Sequence, residues 1–210
     1  MLPQDLGAVE ARVLGSLVEK ELTTPDHYPL SLNALVNACN QTSNRDPVTA
    51  FDEQTVSSAV TVLRRLGLVR SFQGAGERVP KYQHLLEDAE DLPRAERAVL
   101  GVLLLRGPQT SAEIRTRSAR MIDGDDASAV DGALEALVAR AAVAQLPRRI
   151  GQKETRYSHL LAGEVHETPN ATVPEKPSDR LTSLEDEVRE LRNEVSDLRA
   201  QLQTFRKQFE

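Results

Sequence analysis

The stretch Arg78-Val-Pro-Lys-Tyr-Gln-His-Leu-Leu86 returns as Glu154-Thr-Arg-Tyr-Ser-His-Leu-Leu161, and this echo constrains the fold more than any other feature. Tyr82 then matches Tyr157, and His84 matches His159. Upstream, Val56, Val60, Leu63 and Val69 match Val130, Leu134, Leu137 and Val143. Earlier still, Glu10, Val13-Leu14-Gly15 and Leu17 match Glu96, Val99-Leu100-Gly101 and Leu103. The separation is larger for this first block, which implies an indel in a loop, where length is cheap. The chain is therefore two copies of one unit, each of about 80 residues, followed by a tail.

In the first unit, Leu6, Val9, Val13, Leu17 and Val18 recur at helical spacing, with Glu10, Arg12, Ser16 and Lys20 as the polar residues between them. The helix is expected to start near Asp5–Gly7 and to stop at Thr23-Thr-Pro25. Ser31 is placed to cap a second helix with Leu32, Leu35, Val36 and Cys39 on one face. The polar run Asn40–Pro47 reads as a turn whose side chains satisfy local backbone groups. A third helix begins at Asp52, buries Val56, Ala59, Val60 and Leu63, and ends at Gly67. Leu68–Phe72 and Arg78–Tyr82 flank Gly74-Ala-Gly76 and read as a hairpin.

The second unit follows an acidic joint at residues 88–93. It repeats the pattern: a helix with Val99, Leu103 and Leu104 inward, and a capping box at Thr110-Ser-Ala-Glu113. The helix opened by that box points Arg115, Arg117 and Arg120 outward, and the next has the stripe Val130, Leu134, Leu137, Val138. A second hairpin runs Val143–Pro147 and Glu154–Tyr157, with a basic tip at Arg148–Lys153. The fold class expected is mainly α with small β-hairpins (α+β). Three helices and then a hairpin is the order of a winged helix, whose third helix can enter a major groove while the hairpin reaches the backbone.

Several of these runs resemble the bacterial YceH family. They include Glu10-Ala-Arg-Val-Leu-Gly, Thr24-Pro-Asp-His-Tyr-Pro-Leu-Ser-Leu-Asn-Ala-Leu35, Asn37-Ala-Cys-Asn-Gln41 and Ser43-Asn-Arg-Asp-Pro-Val48. Leu105-Arg-Gly-Pro-Gln-Thr110, Glu113-Ile-Arg-Thr-Arg117 and Arg156-Tyr-Ser-His-Leu160 extend the likeness over residues 6–161. The resemblance implies two winged-helix domains of the DNA-binding type, and it implies no activity and no catalytic residue.

The expected organisation is two winged-helix domains at 1–87 and 88–162, a linker at 163–179 and a coiled-coil helix at 180–210. Pro169, Pro174 and Pro177 mark the linker. Beyond it Leu181, Leu184, Val188, Leu191, Val195, Leu198, Leu202, Phe205 and Phe209 are spaced by three and four, as in a coiled-coil seam. Val at a and Leu at d favour a parallel homodimer. Charge pairs such as Glu187 with Arg192 of a second copy support that orientation.

The formal net charge is −6, with net −5 over residues 1–92, +3 over 93–162 and −4 over 163–210. The total opposes nucleic-acid binding, whereas the middle segment permits it and suggests that contacts lean on the second unit. Candidate DNA-contacting residues are Gln54, Thr55, Ser57, Ser58, Thr61, Arg64 and Arg65 on the third helix, with Arg115, Arg117, Arg148, Arg149 and Lys153 from the second unit. A dimeric DNA-binding regulator is thus one expectation, and a docking module for a protein partner is the other.

Chemistry is sparse. No phosphate-cradling glycine loop, His-Glu-x-x-His or Cys-x-x-Cys occurs. Asp123, Asp125 and Asp126 start like a calcium loop but lack its closing glutamate, and suit a helix cap better. The lone Cys39 excludes an intrachain disulfide, and its place on an apolar face makes it a core residue. The expectation is a non-enzymatic protein with no cofactor, metal or membrane contact. The start Met1-Leu-Pro-Gln-Asp5 lacks the basic residues of a signal peptide, and a cytoplasmic protein is the expectation.

Overall fold

The computed structural model describes residues 2–73, 79–122, 127–147 and 154–163, which belong to a compact unit spanning Met1–Val165. The expected turn at Gly74–Gly76, the Asp123–Asp126 cap, the Arg148–Lys153 tip, the linker and the coiled coil lie outside the described residues.

Within that unit the duplication is visible element by element. The first copy runs α1 (Ala8–Thr23), a 3-10 turn (Pro25–His27), β1 (Leu30–Ser31), α2 (Leu32–Cys39), α3 (Glu53–Arg65), β2 (Val69–Phe72) and β3 (Lys81–His84). A short helix α4 (Leu86–Glu90) follows. The second copy is α5 (Arg94–Arg106), β4 (Gln109–Thr110), α6 (Ser111–Ser118), α7 (Ala127–Ala139), β5 (Val143–Leu146) and β6 (Arg156–His159). Each copy has a three-stranded antiparallel sheet, in the order β1-β3-β2 and β4-β6-β5. The expected α+β class is what the structure shows.

The registers match as well. Tyr82 pairs with Leu30 on one side and Ser71 on the other, and Tyr157 pairs with Gln109 and Gln145. Both tyrosines are half-buried against the core. The expectation that they occupy equivalent sites is borne out. Length is lost at two points, because the first copy has a longer α1–β1 connection and a longer α2–α3 connection than the second.

Local signals act where the sequence places them. Ser31 Oγ accepts the Ala34 N–H, and Thr110 with Glu113 forms the complete capping box. Gly67 ends the α3 region at φ +73°, in the left-handed region that glycine enters without penalty. Cys39 is fully buried, and burial pushes its thiol pKa up.

Other expectations need correction. The third strand of each sheet is Lys81–His84 and Arg156–His159, two or three residues later than the hairpin pattern suggests. Pro80 has no N–H to give the ladder, and pairing with β1 on the far side sets the register at Lys81 and Tyr82. The acidic joint is partly helical, since α4 covers its first residues. Val138 is 40% exposed, and Ala133 takes the inward position beside Leu134.

The largest departure concerns α1. Arg12 and Ser16, the polar residues between its apolar positions, are buried, and so is Glu19, which the spacing did not single out. The reason is that α1 is covered on both sides: by α2 and α3 of its own copy, and by α5 of the other. Helix α5 is buried continuously from Glu96 to Leu105. A single apolar core therefore runs through both copies.

The buried polar groups of α1 organise the Asn40–Pro47 segment. Arg12 donates to the carbonyls of Cys39 and Pro47 at 3.2 and 2.7 Å. Arg45 reaches back to Glu19 with two hydrogen bonds of 3.1 and 2.6 Å and also donates to the Ala38 carbonyl. Asn40 bonds both the N–H and the carbonyl of Phe51, beyond the turn, where local backbone partners were expected. The segment also meets the second copy, where the Asp46 N–H donates to the Leu105 carbonyl at 3.0 Å.

Candidate nucleic-acid interface

Helix α3 opens on Asp52, whose carboxylate accepts the Thr55 N–H at 2.7 Å. Hydrogen bonds from the Thr55 side chain and backbone hold this exposed carboxyl below its ordinary range. The inward stripe is Val56, Ala59, Val60 and Leu63, as the sequence predicts. That fixes the outward face. Gln54, Ser58, Thr61, Arg64 and Arg65 are exposed, while Thr55 and Ser57 are half-buried at its margin.

Two exposed hydroxyls on this face already use their protons. Ser58 Oγ donates to the Gln54 carbonyl at 2.9 Å, and Thr61 Oγ1 donates to the Ser57 carbonyl at 3.0 Å. Their lone pairs remain available as acceptors. Arg64 and Arg65 stand in the last turn, where the negative end of the helix dipole favours cations.

Beside that turn, Thr61, Arg64, Arg65, Arg70 and Ser71 line a shallow depression between α3 and β2. Arg70 is a cation that the sequence reading did not single out. Its signal was the solvent-facing run of β2, in which only Val69 is buried. Arg70 is held in place by Gln83: with the amide turned so that its oxygen accepts, Arg70 Nη2 and Nε donate at 2.7 and 2.9 Å. Asp88 lies 3.9 Å from Arg70, too far and too exposed to neutralise it strongly. Among the described residues, three arginines thus share one patch with the hydrogen-bonding face of α3.

The second-copy candidates are not part of this patch. Arg115 Nη2 bonds both carboxylate oxygens of Asp131 on α7, at 3.1 and 3.0 Å. Arg117 Nη2 lies 3.5 Å from Glu113, one turn earlier on α6. Arg148, Arg149 and Lys153 fall outside the described residues.

The two third helices are chemically unlike. Where α3 shows Gln54, Ser57, Ser58, Thr61, Arg64 and Arg65, α7 at the same repeat offset shows Ser128, Asp131, Gly132, Glu135, Val138 and Ala139. Two carboxylates and no cation stand on that face of α7. The copies share a backbone plan, but of the two third helices α3 alone carries a face suited to phosphate.

The histidines diverge in the same way. His84 Nε2 lies 2.8 Å from Glu21, and the His84 backbone N–H donates to the Tyr28 hydroxyl at 2.7 Å. Burial alone would raise the Glu21 carboxyl, but the His84 hydrogen bond and charge, then Arg97 and Arg94, leave it below its ordinary range. Among the described residues His159 has no such acid, and Gly107 occupies the position equivalent to Glu21. Its Nδ1 is buried without a hydrogen-bond partner, and burial lowers its pKa to about 4. Among the described residues no group of three or more His, Cys, Asp or Glu is arranged to hold a metal. No described helix is long and apolar enough to cross a membrane.

The chain has clear relatives among known proteins. Residues 6–152 match a family described as "Protein of unknown function, DUF480". A UPF0502 protein of Solibacter usitatus is 46% identical, covering 98% of both chains. A UPF0502 protein of Geotalea daltonii is 50% identical over 98% of both, and one of Aeromonas hydrophila is 45% identical over 87% of this chain and 89% of its own. The matched region takes in both copies up to the second hairpin, and the chain belongs to the DUF480 family, whose curated members carry the name UPF0502.

Proposed function

We propose that this protein is a non-enzymatic, dimeric DNA-binding regulator in which each copy is a winged helix, as in the tandem arrangement implied by the resemblance to YceH. The element order supports this reading, with a helix, a short strand, two further helices and a hairpin whose last strand is central in the sheet. The observation that carries it is the outer face of α3: short hydrogen-bonding side chains leading to Arg64 and Arg65, with Arg70 beside them. In this proposal α3 of the first copy reads the groove. The coiled coil over 180–210 pairs two chains in parallel and offers two such helices to a two-fold site. The net charge of −6 opposes the approach, but a patch acts on phosphates within the screening length of about 8 Å.

A second reading has its own support. The α7 face carries Asp131, Glu135 and an exposed Val138, which suits a protein partner better than a phosphate backbone. The second copy would then be the docking module of the pair. Retardation of genomic DNA fragments at several salt concentrations tests the DNA reading. Binding that weakens with salt supports it, and no retardation at low salt leaves only docking.

A further inference from the structure

A cleft of about 450 Å³ lies where the C-terminal turns of α1 and α5 meet the 41–44 segment and α6. Its lining is strongly basic. Lys20 comes from the first copy and Arg106, Arg117 and Arg120 from the second, against a single carboxylate, Glu19. That carboxylate is already committed, since Arg45 holds it at 2.6 Å. Lys20 Nζ lies 3.7 Å from the same oxygen, beyond hydrogen-bond range, and 3.4 Å from Gln41 Oε1.

The remaining cations are only partly satisfied by the protein. Arg106 Nη1 donates to Asn44 Oδ1 at 3.1 Å. Arg117 has Glu113 at 3.5 Å on one nitrogen, while its Nη1 is buried with no hydrogen-bond partner. Arg120 is exposed at the rim. Burial first, and then the charge of Arg117, lowers the pKa of Arg106, with Asp46 and Glu113 opposing that shift. Four cations gathered around a concave space leave a site that an anion would complete.

We propose that this cleft binds a small phosphate-bearing metabolite at the seam between the two copies. Guanidinium forks match phosphate and carboxylate alike, but a lysine and three arginines exceed what one carboxylate neutralises. A phosphate group carries about −1.5 to −2 charges and three acceptor oxygens. The volume lies within the usual range of small-molecule pockets, about 300–1,000 Å³. Val102, Leu105 and Met121 supply an apolar wall for the rest of such a ligand. The site lies apart from the α3 patch and does not depend on DNA binding.

The test is calorimetric titration of the full-length protein with sodium pyrophosphate, at a fixed ionic strength set with sodium chloride. Saturable binding is expected, with one site per chain. Arg117→Gln and Arg120→Gln should each weaken it by about tenfold, the loss of one charge-assisted contact. Arg64→Gln, on the α3 patch, should leave it within about twofold. Arg120 is exposed, so its variant retains the fold if Arg117→Gln does not, and melting curves report which. The proposal is overturned by heats that never saturate, by equal weakening in Arg64→Gln, or by affinity that survives loss of both Arg117 and Arg120. It is also overturned if duplex DNA, and not pyrophosphate, requires those two residues. Failure of the unmodified protein to bind DNA would leave the pyrophosphate result standing.

Discussion

Gly15 of α1 stands so close to Leu104 of α5 that a Cβ on the glycine would lie 2.9 Å from the leucine Cβ. The relationship is reciprocal. A Cβ on Gly101, the repeat equivalent of Gly15, would lie 3.0 Å from Val18 Cγ1, and Val18 is the repeat equivalent of Leu104. The two central helices therefore meet across an approximate two-fold relation, each offering a glycine to the other's side chain.

Gly15→Ala is expected to destabilise the protein by about 1–3 kcal/mol through overpacking, reduced by the helix preference of alanine, roughly 1 kcal/mol. Gly101→Ala should be milder, because Val18 Cγ1 belongs to a side-chain tip whereas Leu104 Cβ is fixed to its backbone. Urea denaturation of both variants checks this. Two neutral substitutions would show that the helices separate easily, and the shared core would need another explanation.

Arg45→Met should cost about 3 kcal/mol, because it leaves the buried Glu19 carboxylate without its two hydrogen bonds and with only Lys20 at 3.7 Å. Adding Glu19→Gln should recover much of that loss. The comparison of single and double variants by chemical denaturation decides it. Additive losses would mean that the two side chains act independently despite their two hydrogen bonds.

What could be read from the chain, and what could not, follows from how many neighbours each element has. Helix α3 packs one face inward and leaves the other to solvent, so Val56, Ala59, Val60 and Leu63 were legible from spacing alone. Thr110 and Glu113 were legible because a capping box is a local interaction. Arg12, Ser16 and Glu19 were not, because periodicity reports one buried face and α1 has two. Arg45 escaped notice for a related reason: it sits in a polar turn, and only the tertiary approach of Glu19 makes it a core residue. Of the candidate interface, the α3 residues were legible, whereas Arg70 and the tethering of Arg115 to Asp131 depend on contacts between elements.

His159 gives a pH prediction. The folded chain holds His159 at about 4 by burial, while an unfolded chain takes up that proton near its ordinary value of 6.5. Lowered folded affinity for the proton means stability that is present above about 6.5 and is lost as pH falls toward 4. Between pH 7 and pH 5 the loss is on the order of 2 kcal/mol. The Glu21 contribution is separate, since its depressed pKa affects stability only below its ordinary 4.5. In His159→Gln the urea midpoint should change less between pH 7 and 5 than in the unmodified protein. Equal changes in both would remove His159 as the cause.

The seam at Leu181, Leu184, Val188, Leu191, Val195, Leu198, Leu202 and Phe205 predicts a parallel dimer. Light scattering should give a dimer for the full chain and a monomer for a chain ending at Pro177. A full-length monomer at micromolar concentration would defeat the dimer and, with it, the two-fold site.

The central claim is that α3 of the first copy meets phosphates through Arg64, Arg65 and Arg70. Fluorescence anisotropy with labelled genomic fragments, titrated across salt concentrations, tests it most directly. Removing Arg148, Arg149 and Lys153, the cations expected at the tip of the second hairpin, should flatten the salt dependence by up to about three contacts, and Gln54→Ala or Ser57→Ala should alter sequence preference with little change in slope. The decisive comparison is the Arg64→Ala/Arg65→Ala double variant, which should bind all sequences more weakly and reduce the slope of log K against log salt by about two. An unmodified slope in that variant, or no binding by the natural protein even at low salt, would contradict the account.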